Sequence, residues 1–141
     1  MTRIDFHSNV PDRIAYACRL VRKALAAHCQ VVVLAGNEGE LSALDEALWT
    51  FSELDFLPHV PAGDPLAATT PVILADDDAA ELPHYDILIN LSARTPACFA
   101  RFQRLFEIIS STEAEKAAGR ERYRFYQQRG YPLTHYTADN A

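Results

Sequence analysis

The residues that could do chemistry are scattered, and their spacing decides what chemistry is open to them. A Val-rich run at 30–35 leads into Gly36 and Gly39, the layout of a strand feeding a phosphate-cradling turn. The stretch Leu34-Ala35-Gly36-Asn37-Glu38-Gly39-Glu40 has neither Gly-x-Gly-x-x-Gly nor a P-loop lysine, and Glu38 and Glu40 put negative charge where phosphate would sit. The glycines are read as shaping a tight turn, and neither a nucleotide site nor a cofactor is expected. His28 falls on the apolar stripe of a helix, where a hydrogen-bonded core histidine is commoner than a metal ligand. Cys18, Cys29 and Cys98 are odd in number, far apart and without a Cys-x-x-Cys pair, so they read as packed thiols rather than a disulfide framework or zinc site. Asp76, Asp77, Asp78 and Glu81 lack the ligand spacing and glycine of a calcium loop and read as a solvated turn. No catalytic or metal constellation emerges.

Two segments point to binding instead. The chain has 141 residues and a net charge of −6, yet five of its thirteen Lys and Arg lie between 116 and 129, with Glu121 the one acid among them. The overall acidity argues against wholesale nucleic-acid binding, whereas a local basic patch selects an acidic partner that reaches one place. At roughly 100° per residue, Ala114, Ala118 and Phe125 form the inward face of a last helix, and Lys116, Arg120, Tyr123 and Gln127 line its outer face with Arg124 at the edge. Arginine pairs carboxylates in a fork and tyrosine walls an apolar pocket, so this face suits an acidic peptide. The second segment holds the sole tryptophan. Along a helix from 42 to 51, Leu44, Leu48 and Phe51 share one side while Trp49 points away from them. Phe56 and Leu57 are adjacent, so an extended chain sends one of them outward; Trp49 and Phe56 then supply aromatic anchors for a partner.

The elements that must position these residues are legible as a β-α-β pattern. Strands are expected at 3–8, 30–35, 71–75, 86–91 and 105–109. Helices are expected from Pro11 to about His28, from a Ser42 cap with Asp45, from Thr95-Pro96 to Arg104, and from a Thr112/Glu115 capping box to Gly130. Alternating elements of this kind give one α/β domain over 1–141 with a mostly parallel sheet and helices on both faces. The chain has neither a signal-peptide pattern nor a run of roughly 20 apolar residues, so a cytoplasmic protein with no membrane contact is expected.

Taken together, Leu44-Asp45-Glu46-Ala47-Leu48-Trp49, Phe56-Leu57-Pro58-His59, Asp86-Ile87-Leu88-Ile89 and Arg120-Glu121-Arg122-Tyr123 resemble the chi subunit of bacterial DNA polymerase III holoenzyme, over most of the chain. The resemblance implies a Rossmann-like three-layer fold without nucleotide chemistry and a noncatalytic adaptor of the clamp loader. It implies two surfaces. One, on Lys116, Arg120, Tyr123 and Arg124 with Ile109 beside them, receives the acidic C-terminal tail of single-stranded DNA-binding protein. The other, on Trp49 and Phe56, receives the psi subunit or a repair helicase competing with it, so contact with DNA is mainly indirect. Arg124 stands where the family has a lysine, and the segments 61–71 and beyond Tyr131 match poorly. The alternative is a small nucleotide-dependent α/β enzyme with an unusual phosphate loop.

Overall fold

The computed structural model describes residues 1–50, 57–77 and 82–138. Among these residues, seven strands form one sheet: β1 (Arg3–Val10), β2 (Val31–Leu34), β3 (His59–Pro61), β4 (Val72–Ala75), β5 (Ile87–Asn90), β6 (Arg104–Ser110) and β7 (Leu133–Thr137). Their spatial order is β3-β4-β2-β5-β6-β1-β7, and every pairing is parallel. The described residues form three α-helices, α1 (Arg13–Ala26), α2 (Glu38–Thr50) and α3 (Glu113–Gln128).

Strand alternation builds two cores from one sheet. Val31 and Val33 of β2 join Ile87, Ile89, Val72 and Leu74 beneath α1 and α2, while Val32 and Leu34 join Leu88, Leu105, Ile4 and Phe6 on the α3 side. Because both faces are covered, β2, β4 and β5 are buried along their whole length, which is why they read as continuous apolar runs. The result is the three-layer, Rossmann-like arrangement expected from the sequence.

Several local expectations are corrected. The N-cap of α1 is Asp12, whose carboxylate accepts from Ala15 N–H at 3.1 Å, so Pro11 precedes the helix rather than entering its first turn. Helix α2 begins at Glu38, and Asn37 caps it by accepting from Glu40 N–H at 2.8 Å; Ser42 lies one turn inside. The apolar periodicity of α2 starts later than the helix itself, which is why it points to Ser42. The helix expected from Thr95 shrinks to a 3-10 turn over Phe99–Arg101 before β6 starts. His28 is exposed and lies beyond α1, with φ 61°, in a Schellman turn where Cys29 N–H bonds Ala24 C=O at 2.9 Å and His28 N–H bonds Leu25 C=O at 3.0 Å. It is a turn residue and not a core histidine. Strands β3 and β7 are additions to the expected set.

Helix α3 is rotated from its expected orientation. Its buried residues are Gly119, Arg122 and Tyr126, whereas Ala114 is exposed and Ala118 and Phe125 are half-buried. The cause is a buried polar cluster. Glu107 of β6 is fully buried and accepts from Arg122 Nε at 3.0 Å, Tyr126 Oη at 2.7 Å and Asn90 Nδ2 at 2.9 Å. Arg122 also donates to Ala93 C=O at 2.9 Å. Burial pushes the Glu107 carboxyl above its usual range, against the pull of Arg122, Tyr126 and Asn90. Arg122, one of the five cations counted between 116 and 129, is therefore a member of the interior, and the surface patch is smaller by one cation.

Candidate peptide-binding groove

Beside this buried cluster, α3 crosses the end of the sheet where β6, β1 and β7 lie side by side. Gly119 makes the crossing close. A Cβ placed there would meet Ile109 Cδ1 at 2.5 Å, so the isoleucine rests directly on the helix backbone. One step along the helix surface, Lys116, Arg120 and Tyr123 overhang the same spot. Together with Ile109, and with Phe6, Ser8 and Asn9 of β1 and His135 of β7, they line a cavity of about 480 Å³.

The lining divides by chemistry. Ile109, Phe6 and Tyr123 make an apolar floor, with the Phe6 and Tyr123 rings edge to face at 5.0 Å between centroids. The rim carries Lys116 and Arg120, and among the described residues no carboxylate lines the cavity. Lys116 Nζ is 3.8 Å from Glu113, an exposed pair of small energetic weight. Arg120 is exposed and has no ion pair or hydrogen bond among the described residues. Arg124 is not in the lining and lies 3.7 Å from Glu121. Of the five residues expected to form this site, the structure thus gathers Lys116, Arg120, Tyr123 and Ile109 and leaves Arg124 outside.

The other wall leaves little trace in the sequence. β1 is irregular relative to β6 between His7 and Val10, and Asn9 takes φ 57° there, a conformation asparagine tolerates. The irregularity brings Ser8 and Asn9 to the cavity, and Ser8 Oγ meets His135 Nε2 at 2.7 Å. The asparagine at the strand end is the one available signal; β7, mostly exposed, offers none.

The aromatic surface lies on the other layer. Leu44 and Leu48 of α2 face the core, and Trp49 is 55% exposed. Its ring tilts against His59 with centroids 4.7 Å apart. His59 is buried, with Nε2 2.9 Å from Asp45 and Nδ1 donating to Leu57 C=O at 2.7 Å. Asp45 and His59 thus fix the platform on which Trp49 rests. Phe51 and Phe56 lie outside the described residues.

The loop after β2 is internally occupied. Gly36 N–H donates to Glu40 Oε1 at 2.8 Å, Glu40 Oε2 accepts from Arg13 at 2.5 Å, and Arg13 also reaches Leu91 C=O at 2.7 Å and Glu115 at 3.2 Å. A phosphate entering this crevice would have to displace a carboxylate already bonded to the turn. Among the described residues, no group of three or more His, Cys, Asp and Glu is placed to hold a metal, and no helix is long and apolar enough to cross a membrane. Asp78 and Glu81 lie outside the described residues.

What the fold and groove define is a small parallel α/β domain with a cationic, apolar-floored cavity at one flank and an exposed tryptophan at the other. The chain belongs to the DNA polymerase III chi subunit family, whose model, described as DNA polymerase III chi subunit, HolC, matches residues 1–134. It is similar to the DNA polymerase III subunit chi of Pseudomonas aeruginosa, with 34% identity over 137 residues covering 94% of each chain. It also resembles the subunit chi of Escherichia coli, 27% identical over 94% of this chain and 88% of the relative, and that of Haemophilus influenzae, 26% identical over 84% and 82%.

Proposed function

We propose that this protein is a noncatalytic adaptor of the DNA polymerase III holoenzyme, joining the clamp loader, through the psi subunit, to the acidic C-terminal tail of single-stranded DNA-binding protein. Family membership supports the replication role. The observation that carries the finer reading is the convergence of Lys116, Arg120, Tyr123 and Ile109 on one cavity with a cationic rim, an apolar floor and no carboxylate among its described residues. A peptide that ends in an apolar side chain and a free carboxylate, preceded by acidic residues, matches both halves of that lining. Trp49, more than half exposed on its His59 platform, is assigned with Phe56 to psi, or to a repair helicase taking its place.

One experiment tests both surfaces. A synthetic acidic tail peptide is titrated calorimetrically into wild type, Arg120→Ala and Trp49→Ala, and each variant is also captured with psi. Arg120→Ala should weaken the peptide by about 1.5–3 kcal/mol if the carboxylate is largely desolvated, and leave psi capture intact. Trp49→Ala should do the reverse. Equal peptide affinity of wild type and Arg120→Ala overturns the tail assignment.

A further inference from the structure

Among the described residues, nothing closes the cavity on its outer side. Its last wall is His135 of β7, and β7 is the edge of the sheet. The ladder joining β7 to β1 starts with Ile4 N–H donating to Pro132 C=O and ends with Ala138 N–H donating to Ser8 C=O. In a parallel ladder this phase turns the peptide groups of Thr134 and Tyr136 toward β1 and those of Leu133, His135 and Thr137 outward. None of these outward groups has a hydrogen bond among the described residues. Natural edges are commonly protected by Lys, Pro or inward charges, and β7, Leu-Thr-His-Tyr-Thr, contains none of these.

We infer that the open edge of β7 is a strand-addition site for the stretch of acidic peptide that precedes the residues held in the cavity, so that the bound tail becomes an eighth strand. This rests on the tail-binding reading above and extends it to a second recognition element. Three observations favour that occupant over a second copy of the chain. The edge is continuous with the cavity, because His135 belongs to both. The cavity beside it carries Lys116 and Arg120 with no acid among its described residues, which attracts an acidic strand. A copy of this protein would bring another β7 without Asp or Glu, and so no anion for those cations. In strand addition the backbone supplies affinity and is indifferent to side chains, so a tail of varied acidic residues is accommodated without a pocket for each.

The test uses the full chain and the same synthetic peptide with single backbone N-methyl groups placed in turn at each position upstream of its last residue. Strand addition predicts a period of two: alternate positions lose affinity roughly three- to tenfold, the cost of one hydrogen bond, and the positions between them are unaffected. Thr137→Pro removes one outward N–H without touching the bonds to β1 and should reduce affinity for the unmodified peptide by a similar factor. Uniform tolerance of methylation, or loss without alternation, overturns strand addition while tight, Arg120-dependent binding leaves the cavity reading standing. Failure of the unmodified peptide to bind at all overturns both.

Discussion

Replacing Glu107 with Gln tests whether the buried cluster holds α3 against the sheet. The substitution keeps the shape and one acceptor oxygen, but leaves the Arg122 guanidinium, about as buried as its partner, with Ala93 C=O and no counter-charge. Removing one member of a buried ion pair typically costs about 3–5 kcal/mol, a large share of the roughly 5–15 kcal/mol that holds a domain of this size. Tyr126→Phe deletes one hydrogen bond to the same carboxyl and should cost about 1.5–3 kcal/mol. The discriminating variant is the triple Glu107→Leu, Arg122→Met, Tyr126→Phe, in which no charge is left without its partner. It should be more stable than Glu107→Gln alone despite carrying three changes, because buried pairs are often matched by apolar residues of similar volume. Urea unfolding followed by both tryptophan fluorescence and circular dichroism gives each value. A loss below about 1 kcal/mol for Glu107→Gln, or a triple variant less stable than the single one, would refute the view that the uncompensated guanidinium is the dominant cost.

Three further outcomes are expected. Gly119→Ala gains about 1 kcal/mol of helix propensity but drives Ile109 off the helix, so stability should change little while tail-peptide affinity falls; unchanged calorimetric affinity would show that Ile109 does not belong to the floor. His28→Gly relieves a left-handed residue in the turn after α1 and should raise the urea-derived stability by about 1 kcal/mol, with no gain contradicting the strain. Burial lowers His7 and His84 below 6.5, so the stability they confer as neutral rings is complete above pH 6.5 and is lost as pH falls from there through their folded values; the slope in that range should flatten in His7→Leu, measured against wild type by denaturation at stepped pH.

The elements most legible in the sequence are those whose burial is decided locally. β2 and β5 are covered on both faces and show as nearly uninterrupted Val, Ile and Leu, and α1 carries its stripe of Ala17, Cys18, Val21 and Ala24 in full view. β3 and β7 owe their existence to neighbours far away in the chain. Three residues beside β4 and five beside β1 have little apolar pattern of their own. The orientation of α3 escapes a helical-wheel reading because a lone arginine is normally solvated; only the juxtaposition of Arg122 with Glu107 across the α3–β6 contact makes the buried position tenable. Gly119 is silent for the same reason, since its meaning is the proximity of Ile109. Lys116, Arg120 and Tyr123 are visible as one helical face, whereas Ile109 is placed beside them by family resemblance, and the β1 and β7 walls by nothing short of three dimensions.

The order of the strands places the two proposed surfaces at opposite margins of the sheet, Trp49 near β3 and the groove against β1 and β7. Six interstrand steps of about 4.8 Å put roughly 29 Å between the margins. A domain gripped at both would carry tension sideways, along the hydrogen bonds and across the strands, the direction in which paired strands unzip bond by bond instead of sliding all at once. The central ladders are only four residues long on each side of β2. Their resistance to such a pull therefore rests on the two hydrophobic layers clamped above and below. Helix α1, which packs on both β2 and β6, acts as a splint across them.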